Sequence, residues 1–509
     1  MAVAIQSIGL KGIEGYPVTV EVEKLDGVES VVVVGLPGAA VKESKERVLA
    51  ALKGFGINFT DRRVIVNLSP AEEKKHGPMF DVAMAIGILK CFGTLKGVIP
   101  DDTAFIGSLS LTGKVQSIRG ILPAIMSAKK LGIKRLFVPY DCSVPIQEID
   151  GLEIIYVEYL MELVDHLSRG GGLSLVPPKT ELAVDQASFP GVDFKEVIGQ
   201  EKAKRALEVA AAGGHNVMMI GPPGCGKSLL AESFPSIMPK LELESQLENV
   251  SLYELANTSL SSLGRPPFRS PHHSASAVSI IGGGSNPAPG EISLANHGVL
   301  FLDELAEFPK KTLDMLRQPL ESGRVTISRA QATVTYPAKF LLLSAMNPCP
   351  CGYLGATTHY CTCSPKHVQA YQNKVSGPVQ DRIDIILHLT PVNLQQERKE
   401  DAPSSSEIQK RVQSARDLQY KRHGKVCCNA DLSIEEVRTM IPLTEEQKSF
   451  LQNRAVKENW SNRVQMKMHR LARTISDLRG EEAVSDEALW EAVTMRRGNS
   501  GLVKKKVVK

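Results

Sequence analysis

The sequence predicts an α/β protein that is divided into several domains. Its 509 residues exceed the size at which one hydrophobic core usually stops growing, about 250–300 residues. Short apolar segments typical of strands alternate with helical segments in the first part of the chain. Residues 169–190 interrupt this alternation with glycines, prolines and no sustained periodicity, as a linker does. We therefore expect domains at residues 1–168, 191–395 and 396–509, with the linker at 169–190.

The composition is that of an ordinary globular protein, and it argues against a disordered chain and against a disulfide-rich fold. With 23% charged and 43% apolar residues, the chain is not expected to be disordered as a whole. Its net charge of +4 leaves a nucleic acid partner open, because a basic patch can lie within a balanced total. Nine cysteines are too sparse for a disulfide framework, and their odd number fits a reducing compartment. Because there is no signal-peptide pattern and no unbroken apolar stretch of ~20 residues, we predict a cytoplasmic protein with no membrane partner.

The N-terminal domain is expected to have an α/β or α+β fold. Its short apolar segments predict the strands Val31–Val34, Val64–Asn67, Leu136–Val138 and Ile154–Val157. Two segments with helical spacing predict the helices Val41–Leu52 and Phe80–Leu89. These elements alternate along the chain, which is why the two fold types remain open.

After the linker the pattern changes to a strand–loop–helix unit. We predict a helix, a strand, a glycine loop and a second helix, the regular elements being Ala203–Ala212, Val217–Ile220 and Ser228–Phe234. From about residue 405 to the end the chain has mostly helical spacing and no convincing strand. The third domain is therefore predicted to be helical.

The glycine loop carries the most specific motif in the chain. The pattern glycine, four residues, Gly-Lys-Ser is met by Gly221-Pro222-Pro223-Gly224-Cys225-Gly226-Lys227-Ser228. The glycines allow backbone N–H groups to surround phosphates, and the start of the following helix favours negative charge. Lys227 would contact the β- and γ-phosphates, and the Ser228 hydroxyl would bind Mg²⁺. The alternative, a chance glycine turn, is disfavoured by the strand before the loop and the helix after it.

Two further apolar strands end in polar residues that suit nucleotide hydrolysis. The strand that begins after Gly298 ends in Asp303 and Glu304, so that Asp303 would hold Mg²⁺ through its waters and Glu304 would act as general base. The strand Phe340–Ser344 is followed by Asn347, whose amide can bind the attacking water or the γ-phosphate. The sequence thus predicts ATP hydrolysis with Mg²⁺ as cofactor.

These motifs, in this order, resemble AAA+ ATPases of the magnesium-chelatase-like branch. The resemblance narrows to the bacterial YifB/ComM family through segments at 271–274, 282–284, 289–293, 347–352, 377–384 and 471–478. It implies a central AAA+ P-loop NTPase domain and a C-terminal helical lid. It also implies that Arg382 is an arginine finger acting on a neighbouring subunit, and that Arg463 has the place of the sensor-2 arginine. A finger that acts between subunits implies a ring, which the family resemblance suggests is a homo-hexamer. From the residues alone, Arg382 paired with Asp384 at a helix end remains an alternative.

Basic residues suggest where DNA would bind. Alternating β-branched residues over 323–336 predict a hairpin, and in this AAA+ branch a hairpin at that position projects into the central pore. Arg324 and Arg329 would then contact a nucleic acid backbone, although an ordinary solvated hairpin has the same pattern. The loop 264–290 is a second candidate pore element, whose adjacent His272 and His273 are poor metal ligands.

The basic stretches at 460–480 and 496–509 fit either a DNA-facing surface or a solvated face and a disordered tail. The residues alone do not distinguish these two interpretations.

Four cysteines lie within fifteen residues, in the segment 349–363. Cys349, Cys351, Cys361 and Cys363 form two close pairs that suit tetrahedral Zn²⁺. Unligated thiols, a redox pair or an iron–sulfur cluster are alternatives that the spacing leaves open. Cys225, inside the phosphate-binding loop, is a candidate site of thiol oxidation.

Residues 1–168 resemble the proteolytic domain of Lon-type proteases, which has an α+β fold like that of ribosomal protein S5 domain 2. The resemblance lies in segments 77–84, 107–113 and 119–124. Lon enzymes use a serine activated by a lysine, but Met79 and Phe80 stand where the nucleophile is expected. Leu122–Ile125 replaces the stretch that bears the lysine. This domain is therefore expected not to cleave peptides, and to assist assembly or bind a partner or DNA instead.

Two main functions remain. The resemblance favours an ATP-driven hexameric motor on single-stranded or branched DNA, a helicase or branch-migration factor in recombination or natural transformation. The alternative is a protein-remodelling ATPase, either chelatase-like or an unfoldase; it is disfavoured because the predicted hairpin tip at Arg329–Gln331 is polar rather than aromatic. A nucleotide-switched scaffold without translocation is a third, weaker possibility.

Overall fold

The structure is a computed structural model, and it describes residues 2–75, 77–141, 151–169, 191–284, 287–329, 332–356, 359–392 and 402–496. Residues 170–190, which make up almost all of the predicted linker, lie outside the described residues, as do 497–509 and the hairpin tip residues 330–331. Arg169, the first residue of the predicted linker, is the last residue of a helix.

The chain forms two compact units that do not follow the order of the sequence. The first contains Met1–Val184 together with two later segments, Gln246–Ser261 and Thr326–Tyr336. The second contains Asp185–Ser245, Ser262–Val325 and Pro337–Lys509. The N-terminal unit is therefore completed by segments that follow the phosphate-binding loop in sequence.

The first unit contains a seven-stranded mixed sheet in the order β3-β4-β2-β1-β5-β8-β9, beside a small ribbon of β6 and β7. The bounds are β1 Val3–Lys11, β2 Glu14–Asp26, β3 Ser30–Val34, β4 Arg62–Ser69, β5 Thr103–Phe105, β6 Ser108–Leu109, β7 Val115–Gln116, β8 Arg135–Pro139 and β9 Glu153–Val157. In β2 every second side chain, Val18, Val20 and Val22, is fully buried, as expected for a strand with one face on the core. The strand predictions at β3, β4, β8 and β9 are confirmed, whereas the long hairpin of β1 and β2 was not predicted.

Helices cover this sheet, and their bounds are α1 Ala39–Leu52, α2 Asp81–Cys91, α3 Ile121–Lys130 and α4 Leu160–Arg169. Helix α2 is buried over nearly its whole length because it is almost entirely apolar and packs on β1 and β2. The helix over 243–256 joins this unit through Glu254. Its carboxylate accepts hydrogen bonds from the backbone N–H groups of Gly120, Ile121 and Leu122 at the start of α3.

The second unit is built on a five-stranded parallel sheet in the order β11-β14-β17-β10-β18. The remaining strands of the chain are β10 Val217–Ile220, β11 Phe268–Arg269, β12 Gly282–Gly283, β13 Ala288–Pro289, β14 Val299–Leu302, β15 Arg324–Arg329, β16 Ala332–Pro337, β17 Leu341–Met346 and β18 Ile385–His388. Strands β14 and β17 are buried at every position, which is typical of a parallel sheet covered on both faces.

The remaining helices are α5 Glu201–Gly213, α6 Lys227–Ser233, α7 Leu243–Ala256, α8 Ala277–Ile281, α9 Glu291–Leu294, α10 Lys310–Met315, α11 Pro319–Ser322, α12 Pro365–Gln372, α13 Gly377–Gln380, α14 Ser405–His423, α15 Ile434–Met440, α16 Glu445–Glu458, α17 Asn462–Leu478 and α18 Asp486–Arg496. The described C-terminal region is thus helical, as predicted, and α14 and α17 both pack against α5. No helix among the described residues combines the length and apolar character needed to cross a membrane.

Candidate nucleotide site

The phosphate-binding loop joins β10 to α6, where the sequence predicted it. Gly224 and Gly226 have φ angles of 75° and 87°, which only glycine adopts without strain. The loop is fixed at its base because the backbone N–H of Gly221 donates to the carbonyl oxygen of Met346 on β17, at 3.2 Å. Lys227 begins the helix, so the loop leads directly into a helix N-terminus that favours phosphate.

Lys227 has no carboxylate among its hydrogen-bond partners in the described part of the chain, which are three oxygens and, at 4.0 Å, Cys225 Sγ. Its Nζ donates to the carbonyl oxygens of Gly221 and Pro222 at 2.8 and 3.0 Å, and to Asn347 Oδ1 at 3.2 Å. Its positive charge is therefore not neutralised by a carboxylate. A cation held in this way can bind an anionic phosphate without first breaking an ion pair.

Ser228 and Asp303 come together from separate elements. Ser228 Oγ, in the first turn of α6, donates to Asp303 Oδ2 at 3.0 Å, directly after β14. The two residues are neighbours because β14 and β10 each pair with β17, so that both strands end on the same side of the sheet. A hydroxyl and a carboxylate are the oxygen ligands that suit Mg²⁺ beside a phosphate, and the donor set fits that ion.

Glu304 adopts a backbone conformation that is rare for a residue with a side chain. Its φ is 51°, in the left-handed region, and its backbone N–H donates to Asp303 Oδ1 at 2.8 Å. Such strain is concentrated at functional sites, where surrounding contacts maintain it. The turn points the two adjacent carboxylates in different directions, with Glu304 about half exposed.

His273 is a member of this site that the sequence interpretation missed. Its Nδ1 lies 3.3 Å from Glu304 Oε2, and its ring packs edge-on against Phe308 and close to the ring of His272. The sequence assigned His273 only to a candidate pore loop. Its position just after β11, the neighbour of β14, is the signal that could have placed it beside Glu304.

Gln200 is a second residue that the sequence interpretation missed. Its Nε2 donates to the carbonyl oxygen of Cys225 at 3.1 Å and to that of Thr390 at 2.8 Å. It thus ties the phosphate-binding loop to the segment after β18. Gln200 itself has a φ of 57°, a left-handed conformation directly before α5.

Cys225 does not fit the predicted oxidation site. Its side chain is buried inside the loop, and burial raises the pKa of its thiol although the nearby Lys227 opposes this shift. A buried thiol with a raised pKa is a poor nucleophile toward oxidants. The sequence could not reveal this, because the neighbours of Cys225 in the loop are less buried: Gly224 is exposed and Gly226 is half-buried.

Arg382 and Arg463 converge on one carboxylate, that of Glu321. Arg382 Nη2 lies 2.7 Å from Glu321 Oε2, and Arg463 Nη2 lies 3.6 Å from Oε1. The alternative pairing of Arg382 with Asp384 is not the one adopted. Asp384 is buried and bound to Lys467 at 2.9 Å instead.

The predicted hairpin is present as β15 and β16, and Arg324 and Arg329 on β15 are both exposed. The two residues are five positions apart, so their side chains leave opposite faces of the strand. Val325 and Ile327, on the same face of β15 as Arg329, are buried.

The basic helix α17 does not form the free surface that was one interpretation of its sequence. Lys467 pairs with Asp384, Arg473 is 3% exposed and pairs with Asp477, and Arg470 donates to the backbone carbonyls of Ala430 and Leu432. Arg479, just after the helix, pairs with Glu491. Most of these cations therefore serve packing within the unit. A sequence cannot separate such cations from a binding surface, because their partners are distant in the chain.

The four clustered cysteines lie close enough together to hold a metal ion. Every pair of their sulfur atoms is within 4.8 Å, and only Cys349 is fully buried. A hydrogen bond from the backbone N–H of Tyr353 is the main cause that lowers the pKa of Cys351 to about 6. These distances do not identify the ion by themselves; the preference of thiolate ligands for soft metal ions is also needed.

In the first unit, the positions expected to correspond to the catalytic residues of Lon enzymes are filled with core residues. Met79 and Phe80 are 5% and 1% exposed, and Leu122 and Ala124 are buried at the start of α3. The nearby carboxylate of Asp81 is fully buried and bound by Arg47 at 2.9 Å. Neither a nucleophile nor a free base is present among these residues.

Three family models match the chain, and each of them describes part of the magnesium chelatase subunit ChlI. A model described as magnesium chelatase, subunit ChlI, covers residues 193–397, and one for the ChlI C-terminal region covers 402–496. A third, described as subunit ChlI of Mg-chelatase, covers residues 20–142.

Curated relatives extend the similarity to nearly the full chain. The chain is 38% identical over 489 residues to the protein YifB of Escherichia coli, and 37% identical over 493 residues to competence protein ComM of Haemophilus influenzae. Each alignment covers 95% of both chains. A shorter similarity, 36% over 142 residues, relates 28% of the chain to 24% of Lon protease 2 of Bacillus subtilis.

Proposed function

The chain belongs to the YifB/ComM family of magnesium-chelatase-like AAA+ proteins, and on that premise we propose that it is an ATP-hydrolysing motor that acts on DNA. The observation that carries the proposal is the meeting of Lys227, Ser228, Asp303, Glu304 and Asn347 at one edge of the parallel sheet. The proposed cofactors are ATP and Mg²⁺ at this edge, with Zn²⁺ as a structural ion in the cysteine cluster.

Each residue at the sheet edge has a distinct task in hydrolysis. Gly221–Ser228 holds the phosphates through backbone N–H groups, and Lys227 replaces its contacts to neutral oxygens with contacts to phosphate. Ser228 and Asp303 would hold Mg²⁺, which would supply positive charge beside the β- and γ-phosphates. Asn347, which contacts Lys227, binds the γ-phosphate or the attacking water.

Glu304 removes a proton from the attacking water, and His273 positions its carboxylate. The 3.3 Å contact between the two side chains supports this assignment, since a carboxylate on an exposed turn otherwise has considerable rotational freedom. His273 is a positioning residue in this scheme, because it acts on the water only through Glu304.

Arg382 acts as an arginine finger on the nucleotide of a neighbouring subunit in a hexameric ring, and Arg463 acts as the sensor-2 arginine of the helical lid. Their shared partner Glu321 places both guanidinium groups side by side. Because the Glu321 side chain is 60% exposed, this pairing is weak, and a phosphate can take the place of the carboxylate. Two such groups presented together would stabilise negative charge on the transferring phosphoryl group. The ring would assemble in the cytoplasm.

DNA is proposed to contact the exposed cations of the hairpin. Arg324 and Arg329 leave opposite faces of β15, so that they would touch different parts of a strand passing the hairpin. The similarity to a competence protein supports a role as a helicase or branch-migration factor in recombination or natural transformation. A protein-remodelling ATPase without DNA translocation is the second candidate, favoured by the similarity to chelatase subunit ChlI.

ATP hydrolysis measured with and without single-stranded and branched DNA tests the proposal. We expect DNA to stimulate hydrolysis, and Arg329→Ala to lose that stimulation. Arg438→Ala, which removes an exposed arginine from α15, is the matched control and should be stimulated like the wild type. Hydrolysis that stays indifferent to DNA at both low and moderate salt would favour the remodelling function.

A further inference from the structure

The sulfur–sulfur distances in the cysteine cluster are similar to those between thiolates that bind one metal ion. Cys349 Sγ lies 3.3 Å from Cys351 Sγ and 3.7 Å from Cys361 Sγ, and the latter two are 3.6 Å apart. Four thiolates bound to a tetrahedral ion at ~2.3 Å lie about 3.8 Å from one another. A disulfide would need a sulfur–sulfur distance near 2.05 Å. The observed distances therefore match a single metal ion.

The chain holds both cysteine pairs on ordered elements. The first pair follows β17 directly, and the turn between Cys349 and Gly352 is closed by a backbone hydrogen bond of 2.9 Å. The second pair ends just before α12, where the Ser364 side chain accepts a hydrogen bond from the first turn of the helix. The Tyr353 and His359 rings stack at 4.7 Å between the two pairs.

The same loop lies against the nucleotide site. A Cβ atom at Gly352 would be 2.9 Å from Pro223 Cδ in the phosphate-binding loop, and 3.9 Å from Asn347 Cγ. Asn347 is two residues before Cys349, and it accepts the hydrogen bond from Lys227. From the other side, Gln372 of α12 donates to the Pro348 carbonyl at 3.0 Å. The cysteine loop thus supports two parts of the nucleotide site at once.

We propose that Cys349, Cys351, Cys361 and Cys363 bind one Zn²⁺ ion, and that this ion fixes the loop that positions Asn347 and backs Pro223. The zinc site then positions residues that bind the nucleotide, rather than only stabilising its own loop. Four thiolates select zinc over magnesium because sulfur ligands are soft. An iron–sulfur cluster would separate thiolates on different irons more widely than these distances allow. The link to hydrolysis rests on the proposed function, whereas the metal site does not.

Metal content of the full-length protein tests the site. The protein is purified without chelator and analysed by mass spectrometry for metals, with about one zinc per chain expected. The double variant Cys361→Ser/Cys363→Ser should lose the zinc, while the control Cys91→Ser, in the N-terminal unit, should keep it. Absence of zinc from the wild type, iron in its place, or full zinc in the double variant would overturn the proposal.

The variant Gly352→Ala tests the link to the nucleotide site while leaving all four cysteines in place. Because the added methyl group meets Pro223, we expect full zinc content but weaker binding of a fluorescent ATP analogue, with hydrolysis reduced on the order of tenfold. Gly424→Ala is the control: it has the same left-handed backbone, but its Cβ would enter open space. Nucleotide affinity equal to that of the wild type would overturn the link.

A measurement on the unaltered protein covers the case in which Gly352→Ala fails to fold. Zinc is removed from the wild type with a chelator and then added back, and affinity for the ATP analogue is measured at each stage. Affinity that falls and recovers supports the link, whereas affinity that never changes contradicts it. If the zinc-loaded wild type binds no ATP analogue, the proposed ATPase function fails while the metal assignment stands.

Discussion

Two lysines in the second unit differ in whether their positive charge is paired with a carboxylate. Lys227 at the phosphate-binding loop touches two backbone carbonyls and an amide oxygen, all of them neutral. Lys467 in α17 is bound to the Asp384 carboxylate, and its side chain is only 12% exposed. The first charge stays available for a ligand. The second is already compensated and holds the helix to the sheet strand that follows Asp384.

The difference teaches that the partners of a basic residue, rather than its presence, indicate whether it can bind an anion. Helix α17 is richer in cations than the phosphate-binding loop, yet most of them are satisfied within the unit. Burial lowers the pKa of Lys467 against the opposing effect of Asp384, so this ammonium depends on its partner. We expect variants at the two lysines to differ in what they destroy.

The largest effect is expected for Lys467→Ala, which leaves the Asp384 carboxylate buried without its cation. Such a loss costs about 3–5 kcal/mol in the free energy of unfolding. Chemical denaturation monitored by circular dichroism measures it. Lys448→Ala, which breaks an exposed pair with Glu445 on α16, should cost less than about 1 kcal/mol. Equal losses in the two variants would refute the contrast.

Acidification provides a second test of the same pair. Burial alone would raise the pKa of Asp384, but Lys467 and other partners hold it below its usual value. In the wild type, this carboxylate therefore contributes stability above its unfolded pKa of about 3.9, and the contribution is lost as pH falls through the lower folded pKa. In Lys467→Ala the folded pKa should rise, so that stability increases on acidification. The gap between variant and wild type should narrow from pH 7 to pH 5.

Lys227→Ala is expected to remove catalysis with little loss of stability. Withdrawing one preorganised charge from a phosphoryl-transfer site costs about 10²–10³-fold in rate. ATP turnover and thermal unfolding, measured on the same preparation, separate the two effects. Lys240→Ala removes an exposed lysine beyond α6 and serves as the control. A strong fall in unfolding temperature would mean that Lys227, like Lys467, has a structural role.

His273→Ala should have a smaller effect, because His273 acts only through Glu304. Losing the 3.3 Å contact that orients the Glu304 carboxylate is expected to reduce kcat on the order of tenfold, with KM for ATP unchanged. His273→Asn, which keeps a hydrogen-bonding group near Glu304, should recover part of the rate. His272→Ala removes the ring packed against His273 but no contact to Glu304, so it should reduce kcat less than His273→Ala. A change in KM alone would contradict the assigned positioning role.

The smallest effect is expected in the N-terminal unit, where the positions expected to correspond to the Lon catalytic residues hold buried apolar side chains. Met79→Ser introduces a hydroxyl at the position expected to correspond to the Lon nucleophile, but it supplies no base to activate it. Hydrolysis of casein should remain undetectable, as in the wild type. Any peptidase activity above background would show that a neighbouring side chain activates the introduced hydroxyl.

By itself, the sequence predicted the candidate nucleotide site, because its parts are local patterns. A glycine loop between a strand and a helix, and carboxylates after an apolar strand, have only one common structural use. The strands β10, β14 and β17 and the side-chain pair Ser228–Asp303 were found where these patterns predicted them. The four cysteines were also visible as a cluster before their distances were known.

Only the tertiary structure decided which distant residues meet. It brought His273 to Glu304, joined Arg382 and Arg463 at Glu321, and turned Lys467 inward to Asp384. It also assigned residues 246–261 and 326–336 to the N-terminal unit. These contacts depend on strand order and helix packing across long separations in the chain, where a residue's type does not specify its partner. The charged residues of this protein can be counted from the sequence, but the fold decides which of them pair with each other.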